Sequence, residues 1–519
     1  MSTAPSRPTA PSESSAPSGP GEQFPHPWRA LAICLVGGGM VLLDVSIVNV
    51  ALPSIRSGLS ASESALQWVL SGYALTFGLA LVPAGRLGDV LGRRRMFLIG
   101  LALFTICSAL CGLAQSSSWL AVARLAQGLS GGALTPQISA VIQQVFRGQQ
   151  RGKAFGIYGS VIGISTAIGP LLGGLLIELF GQREGWRWVF YVNLPVGVLL
   201  LPLAARLLPP RPARPGRREE LDPVGVLLLG TGVVLLLLPL VQEQQWHGSA
   251  KWLLVPAALL MLAGFVGWEL RYARSRHSLV PLPLFRLRSY AFGTAIATGY
   301  FAGFTPLFFV LTLYLQIGLH YSPLLAGLTT MPFALGSAAS ANLSGRVALR
   351  FGRPMVALGL VLVGIGLVAT RFAVTEVPTG HTGWATALPL FLAGVGGGMV
   401  ISPNQTFTLS EVPERRAGTA GGLLQTGQRI GSAIGIAVVG SVFFAQLGGV
   451  AGGRQSSAHY AHAFEVGIEV AACLVLLALV IALVDVAVDR RIGRAGGSED
   501  VAGAGDRLAP AAGGQQRRA

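Results

Sequence analysis

The sequence predicts an all-α polytopic membrane protein. Hydrophobic residues make up 52% of the 519 residues and charged residues 12%, which is about half the charged fraction of a soluble domain. The mean hydropathy is +0.60. Long apolar windows at 224–240, 252–268 and 470–484 reach or approach the length that crosses about 30 Å of hydrocarbon. Composition and window length together indicate a chain that lies in the bilayer.

Fourteen apolar segments are predicted to be transmembrane helices. Short polar connections rich in Gly, Pro, Ser or Arg separate them. The predicted spans are 29–52, 65–84, 97–115, 119–145, 153–180, 188–208, 224–243, 251–270, 292–316, 324–345, 354–373, 384–408, 417–446 and 464–488.

Arginine and lysine predict the direction of these spans. Connections that follow even-numbered spans carry 22 of these residues, whereas connections that follow odd-numbered spans carry 6. Because basic residues accumulate on the cytoplasmic side, we expect a multi-pass protein of the cytoplasmic membrane with both termini in the cytoplasm. The net charge of +16 does not indicate nucleic acid as a partner, since the basic residues are scattered rather than gathered on one face.

Two connections share a pattern that predicts an internal duplication. GRLGDVLGR at 85–93 and GRVALRFGR at 345–353 both read Gly-Arg, five residues, Gly-Arg. They follow the second and the tenth span, eight spans apart, whereas duplicated six-helix halves would place them six spans apart. The difference predicts two inserted helices, the seventh and eighth spans, between the halves.

This organisation gives five predicted segments. Both tails are rich in small and polar residues and lack an apolar core, so we expect them to be disordered. The segments are a cytoplasmic tail (1–27), an N-terminal six-helix bundle (28–208), linkers with the two inserted helices (209–290), a C-terminal six-helix bundle (291–490) and a second cytoplasmic tail (491–519).

Several functional classes find no support in the sequence. The four cysteines lie inside apolar runs without CxxC spacing, which argues against disulfides and a metal site. A phosphate-binding loop is missing, which argues against ATP as the energy source. The spans carry no cluster of His, Asp or Glu that a membrane-embedded enzyme would need. We therefore expect no enzymatic activity, metal or cofactor.

Five motifs in order resemble the major facilitator superfamily, specifically its fourteen-helix drug:proton antiporters of the EmrB/QacA type. Ser46 stands where threonine is usual in the first motif, and Ser165 stands where the fifth-helix motif begins with glycine. The motifs are LLDVSIVNVALP (42–53), GRLGDVLGRRR (85–95), RLAQGLSGG (124–132), GIYGSVIGISTAIGPLLGG (156–174) and GWRWVFYVNLPVG (185–197).

The resemblance implies two six-helix bundles plus two inserted helices, working by alternating access. It implies proton-coupled export of hydrophobic small molecules such as drugs or antibiotics. An exporter dedicated to one endogenous metabolite is the alternative. The implied partners are a lipophilic substrate, protons and the lipid bilayer, and we expect a monomer.

Asp44 and Arg124 are the predicted proton-coupling residues, because charges within membrane spans are functional candidates by default. Counted from the helix ends at 1.5 Å per residue, the two fall at similar depth and can pair. A nearby arginine favours the ionised carboxyl and desolvation favours the protonated form, so helix movement could release or bind a proton. A permanent ion pair that pins two helices remains the alternative.

The remaining candidates divide between packing and gating. Gly169, Pro170, Gly173 and Gly174 on the fifth span allow close, bendable packing, with ordinary small-residue packing as the alternative.

The gating loop contains Gly85, Asp89, Gly92 and Arg93. We expect Asp89 to pair with an arginine across the interface between the halves, as a latch that lacks its counterpart in the second copy, where Leu349 stands.

Three further charges lie in the last two spans. Arg429 either lines the cavity or bonds to backbone carbonyls. Glu465 and Glu469 share a helix face near the outer end of the last span, where interfacial solvation is the favoured interpretation and titration of Glu469 the alternative.

Overall fold

The computed structural model describes residues 25–181, 183–210, 222–241, 246, 248–272, 282–377, 379–448 and 456–505. The predictions for the tail before residue 25, for most of the basic linkers and for residues 506–519 lie outside that part of the chain.

The described chain folds into fourteen long helical segments, each of which overlaps one predicted span, and all but the last agree with the prediction to within about seven residues at each end. The all-α fold class is therefore confirmed. The segments are α1 (Pro27–Leu59), α2 (Glu63–Leu91), α3 (Arg93–Gly112), α4 (Ser117–Val145), α5 (Gly148–Phe180), α6 (Trp186–Leu207), α7 (Pro223–Val241), α8 (Leu254–Tyr272), α9 (Arg288–Leu313), α10 (Pro323–Phe351), α11 (Pro354–Thr375), α12 (Ala387–Thr408), α13 (Ala417–Gly448) and α14 (Ser457–Gly505).

Twelve of these segments are long and apolar enough to cross a membrane by length and hydropathy alone. The other two are α4, which carries more polar residues, and α7, whose apolar stretch is Pro223–Pro239. Helix α14 continues to Gly505, beyond residue 490, where the C-terminal tail was predicted to begin. Its final turns contain no proline that would stop the helix.

Serine side chains begin three of the helices. Ser62, Ser116 and Ser322 each accept a hydrogen bond from the backbone N–H three residues further on. A serine at this position satisfies one of the free N–H groups of the first helical turn. The polar connections between apolar runs therefore fix where these spans start.

Helices α1–α6 and α9–α14 each surround a buried apolar core. Phe97 and Phe155 are fully buried in the first core, and Leu307 and Phe443 are fully buried in the second. The inserted helices α7 and α8 pack on each other and cover α2 from outside, through a cluster that includes Phe265 of α8. The same cluster includes Ile430 and Ala433 of α13, so the inserted pair lies against both groups of helices.

The outward faces of the helices are apolar as well. Leu199, Leu260 and Leu388 are 67%, 73% and 75% exposed. Apolar side chains directed away from the protein are expected where lipid, not water, covers the surface.

Two helix pairs carry most of the contact between the six-helix groups: α2 with α13, and α5 with α10. The second helix of each group thus packs on the fifth helix of the other. Two equivalent halves would produce this reciprocal arrangement. Both pairs meet at the end of the bundle that carries residues 85–95, 345–353 and 409–418, which we call the basic end.

Candidate functional site

Asp44 lies in the middle of α1, inside the N-terminal group, and none of its side chain is exposed. Its Oδ2 is 2.6 Å from Nη1 of Arg124. Its Oδ1 accepts hydrogen bonds from Nε2 of Gln127 at 3.0 Å and Nδ2 of Asn193 at 3.1 Å. Both oxygens are thereby satisfied, as a buried carboxylate requires.

Arg124, on α4, is 1% exposed and has further partners besides Asp44. It donates to the carbonyl of Val69 at 3.2 Å and to Oε1 of Gln127 at 2.8 Å. Its guanidinium carbon lies 4.0 Å above the centre of the Tyr73 ring, which adds cation–π stabilisation. The structure therefore brings together Asp44 and Arg124, which counting along the helices had predicted to lie at the same depth in the membrane. It also gives Arg124 partners other than Asp44.

Sequence analysis did not identify Gln127 and Asn193, the other two ligands of the Asp44 carboxylate. Gln127 is one helical turn after Arg124, and that spacing was an available signal. Asn193 belongs to the motif at 185–197, and its amide also donates to Oγ of Ser108 at 3.0 Å. The ion pair thus lies in a network that joins α1, α3, α4 and α6.

The fifth-helix motif divides between two neighbours. A Cβ atom on Gly169 would lie 1.9 Å from Oγ of Ser46 on α1, and one on Gly173 would lie 2.9 Å from the side chain of Ile47. Pro170 and Gly174 face α10 instead, near Gly327 and Leu324. At these two glycines the backbone of α5 therefore lies directly against side chains of the helix that carries Asp44, and α5 also contacts the opposite group.

Ser46 and Ser165, the two residues that differ from the usual family motifs, are hydrogen-bonded to each other. Oγ of Ser46 donates to the backbone carbonyl of Ser165 at 3.2 Å. This bond crosses between α1 and α5, four residues before Gly169 on α5. A hydroxyl at position 46 thus joins the two helices at the level of the motif.

Asp89 is buried at the basic end and bonds across the interface between the two groups. It accepts hydrogen bonds from the backbone N–H of Gly418 at 3.0 Å and from the N–H and hydroxyl of Thr419, both at 2.9 Å. We expected an arginine in this place. The structure instead places the N-terminus of α13 there, whose free N–H groups and dipole attract a carboxylate.

Close backbone contact surrounds this bond. A Cβ on Gly85 would lie 2.4 Å from the carbonyl oxygen of Gly418, so only glycine fits. Gly92 joins α2 to α3 with φ +102°, a conformation that favours glycine. Arg93 is 3.9 Å from Asp89, and it donates to the carbonyl of Ala140 at 2.7 Å.

The second copy of the loop makes an equivalent glycine contact. A Cβ on Gly345 of α10 would lie 2.5 Å from the carbonyl oxygen of Gly152 on α5. Arg353, the counterpart of Arg93, forms an ion pair with Asp485 within its own group. The side chain of Leu349 lies outside the described part, so the predicted asymmetry at that position stays a prediction.

Arg371 of α11 binds both glutamates of α14. Its Nε is 2.9 Å from Oε1 of Glu469, and its guanidinium also pairs with Glu465. The expected interfacial solvation is therefore incomplete, because each carboxylate has a cationic partner on the adjacent helix.

Arg429 of α13 lies opposite α2. Its guanidinium carbon is 4.6 Å from the centre of the Phe77 ring. Among the described residues it has neither a hydrogen bond nor an ion pair, so the interpretation in which it bonds to backbone carbonyls does not hold.

Comparisons with known sequences point to one family. The Major Facilitator Superfamily model matches residues 34–436. The chain is 38% identical to the probable actinorhodin transporter of Streptomyces coelicolor over 86% of this chain and 78% of that protein. It is 34% identical to the tetracenomycin C resistance and export protein of Streptomyces glaucescens, over 82% of this chain and 77% of that protein. It is 36% identical to the multidrug resistance protein Stp of Mycobacterium tuberculosis, over 79% of this chain and 74% of that protein.

Solved structures share the fold at low sequence identity. The human organic anion transporter MFSD10 superposes with a TM-score of 0.63 at 16% identity, covering 88% of this chain and 100% of that one. The proton:xylose symporter XylE superposes with a TM-score of 0.60 at 16% identity, covering 88% and 95%.

Proposed function

This chain belongs to the Major Facilitator Superfamily, a family of membrane transporters, and on that premise we propose that it exports hydrophobic small molecules in exchange for protons. The relatives named for export of, or resistance to, tetracenomycin C and for multidrug resistance support outward transport of such compounds. The buried ion pair of Asp44 and Arg124 is the observation that carries the proton exchange.

Protonation of Asp44 would leave Arg124 as an uncompensated buried cation unless other groups received it. The carbonyl of Val69, the amide oxygen of Gln127 and the face of Tyr73 already lie around the guanidinium. These partners would hold Arg124 in place while the Asp44 carboxyl carries a proton, which is what proton exchange requires.

Proton entry requires a change in helix packing, because Asp44 is fully buried. At this contact Gly169 and Gly173 contribute no side chain, and the side chains of Ser46 and Ile47 on α1 lie directly against the backbone of α5. We propose that α1 moves against α5 at this surface and thereby exposes Asp44 to one side of the membrane at a time.

We propose that the basic end faces the cytoplasm, in agreement with the distribution of arginine and lysine. The bonds of Asp89 to Gly418 and Thr419, together with the glycine contacts at 85 and 345, then close the cytoplasmic side. The structure would represent the state from which substrate leaves outward. Separation of α2 from α13 and of α5 from α10 would open the cytoplasmic side.

An exporter dedicated to one metabolite is the second candidate. The relative named as a probable actinorhodin transporter favours it, because that name specifies a single compound. A broad resistance profile would favour the multidrug function, and protection against one compound would favour the dedicated one.

The test begins with drug-susceptibility profiling of a host strain with and without the chain. A compound to which the chain gives resistance is then used as substrate in membrane vesicles with an imposed proton gradient. We expect gradient-driven transport that an uncoupler abolishes and that Asp44→Asn also abolishes, as loss of an essential proton carrier predicts.

Asp222→Asn is the matched control. Asp222 is also buried, but it lies just before α7 in the inserted pair, where it binds the N–H of Gly225 and the indole of Trp268. It should retain transport. Undiminished gradient-driven transport by Asp44→Asn would reject the carrier role and leave the permanent ion pair as the explanation.

A further inference from the structure

Arg429 is directed toward the opposite group of helices. Its neighbours Gly427 and Gly431 face α9, since a Cβ on Gly431 would lie 2.1 Å from the carbonyl oxygen of Thr298. A residue two positions away on a helix points to the other side. Arg429 accordingly reaches α2, where its guanidinium lies on the Phe77 ring.

This cation lacks a counter-ion in the described structure. Arg124, at the other membrane-embedded arginine position, has a carboxylate, an amide oxygen and a backbone carbonyl as partners. Arg429 has none of these among the described residues. A cation–π contact compensates only part of the loss of hydration, and an uncompensated charge in a membrane span indicates a function.

Aromatic faces surround the same position. The Tyr73 and Phe77 rings stack with centres 5.9 Å apart. On the other group, the packing of Gly431 on Thr298 places Arg429 about level with the α9 turn that contains Tyr300.

A second aromatic cluster begins at that turn. The rings of Tyr300 and Phe304 stack at 5.0 Å, and Phe304 stacks at 5.0 Å on Phe333 of α10. Tyr300 and Phe333 are buried in the second core, as Tyr73 and Phe77 are in the first. Arg429 therefore lies in apolar surroundings on both sides.

We propose that Arg429 binds the carboxylate or phenolate of a hydrophobic substrate. This assignment rests on the proposed export function and specifies its substrate class. An anion would supply the counter-ion that Arg429 lacks, whereas a cationic compound would place two like charges together in a region of low dielectric constant. The proposed site accordingly selects against cationic drugs.

The position also connects substrate binding to the proton site. Arg124 lies on Tyr73 at 4.0 Å, Tyr73 stacks on Phe77, and Arg429 lies on Phe77. A substrate anion that draws Arg429 away from Phe77 would free the ring pair against which Arg124 is held. Substrate charge and the state of the Asp44–Arg124 pair are then linked through one aromatic pair.

Three fluorescent probes of closely similar shape test the assignment: anthracene-2-carboxylate, anthracene-2-carboxamide and the anthracene-2-carboxamidinium cation. Their binding to the purified full-length protein is measured by fluorescence polarisation without a proton gradient. We expect the carboxylate to bind at least about tenfold more tightly than the cation, the preference that one charge-assisted bond gives.

Variants at position 429 separate recognition of charge from a structural role. Arg429→Gln should reduce carboxylate affinity at least about tenfold, leave carboxamide affinity within about twofold and remove the preference. Arg429→Lys should retain part of it. Arg350→Gln is the matched control, because Arg350 is exposed on α10 near Phe351, away from α2.

Equal binding of carboxylate and cation by the unaltered protein would overturn the assignment, as would absence of binding by all three probes up to millimolar concentration. An unchanged preference in Arg429→Gln would also overturn it. Because binding is measured without a gradient, failure of the export proposal appears separately, as a bound carboxylate that a proton gradient does not move in proteoliposomes.

Discussion

Replacing Asp89 with asparagine should open the basic end of the protein. The Asp89 carboxylate receives three hydrogen bonds from Gly418 and Thr419 on the opposite group of helices. Asparagine has nearly the same shape and can accept hydrogen bonds with its amide oxygen, but its NH₂ group takes the place of the other carboxylate oxygen. That NH₂ group would face a backbone N–H, so at least one bond is lost.

The expected shift follows from the energy of one such bond. A hydrogen bond to a charged group contributes about 1.5–3 kcal/mol, and about 1.4 kcal/mol corresponds to a tenfold change in an equilibrium. Asp89→Asn should therefore raise the ratio of open to closed basic end by roughly 10- to 150-fold. Thr419→Val removes only the hydroxyl bond and should act in the same direction with a smaller effect.

The population can be measured by pulsed electron–electron resonance between two spin labels. Arg95 and Glu411 are exposed at the basic end, one on each group of helices, and cysteines there can carry the labels. Exposed Cys473 is replaced by serine beforehand, because the other three cysteines are buried. We expect the Asp89→Asn protein to gain a population with a longer distance between the labels.

Asp489→Asn provides the control. Asp489 is another aspartate at the basic end, but its partner Arg288 belongs to the same group of helices, so the variant should leave the distance distribution unchanged. An unchanged distribution in Asp89→Asn would refute the latch, and an equal change in Asp489→Asn would show that any lost charge at this end has the same effect.

Two further predictions concern the surroundings of the buried carboxylate. Gly169→Ala should reduce gradient-driven transport at least about tenfold, because its Cβ would lie 1.9 Å from Oγ of Ser46 and overpacking costs about 1–3 kcal/mol. Adding Ser46→Gly should restore most of the transport, and a double variant as slow as the single one would refute the steric cause. Asn193→Ala removes a 3.1 Å bond to the carboxylate and should lower transport about tenfold in vesicles at matched protein amounts. Ser108→Ala removes the bonds of the Ser108 hydroxyl to the Asn193 amide and to the carbonyl of Phe190 but leaves the carboxylate bond of Asn193 in place, so it should have a smaller effect, and a larger one would contradict this role.

The sequence by itself determined the helices and where they begin and end. Apolar length sets a membrane span irrespective of its neighbours, and capping serines such as Ser62 act within one turn. Depth along a helix could also be counted from sequence, which placed Asp44 and Arg124 at one level. The fourteen predicted spans therefore each overlap one helix, and the largest difference is at the end of α14, which continues to Gly505.

Only the tertiary structure decided which side chains meet. In a soluble protein the apolar stripe of a helix shows which face of the helix is turned toward the core. A membrane helix is apolar both toward lipid and toward its neighbours, as the exposed Leu260 and the buried Phe155 illustrate, so its sequence does not show how it is rotated about its own axis. Rotation decides whether Asp89 meets an arginine or the N-terminus of α13, and whether Glu469 meets water or Arg371. These contacts join helices far apart in the chain, and their geometry follows from close backbone approach at glycines such as Gly85, which a linear pattern does not specify.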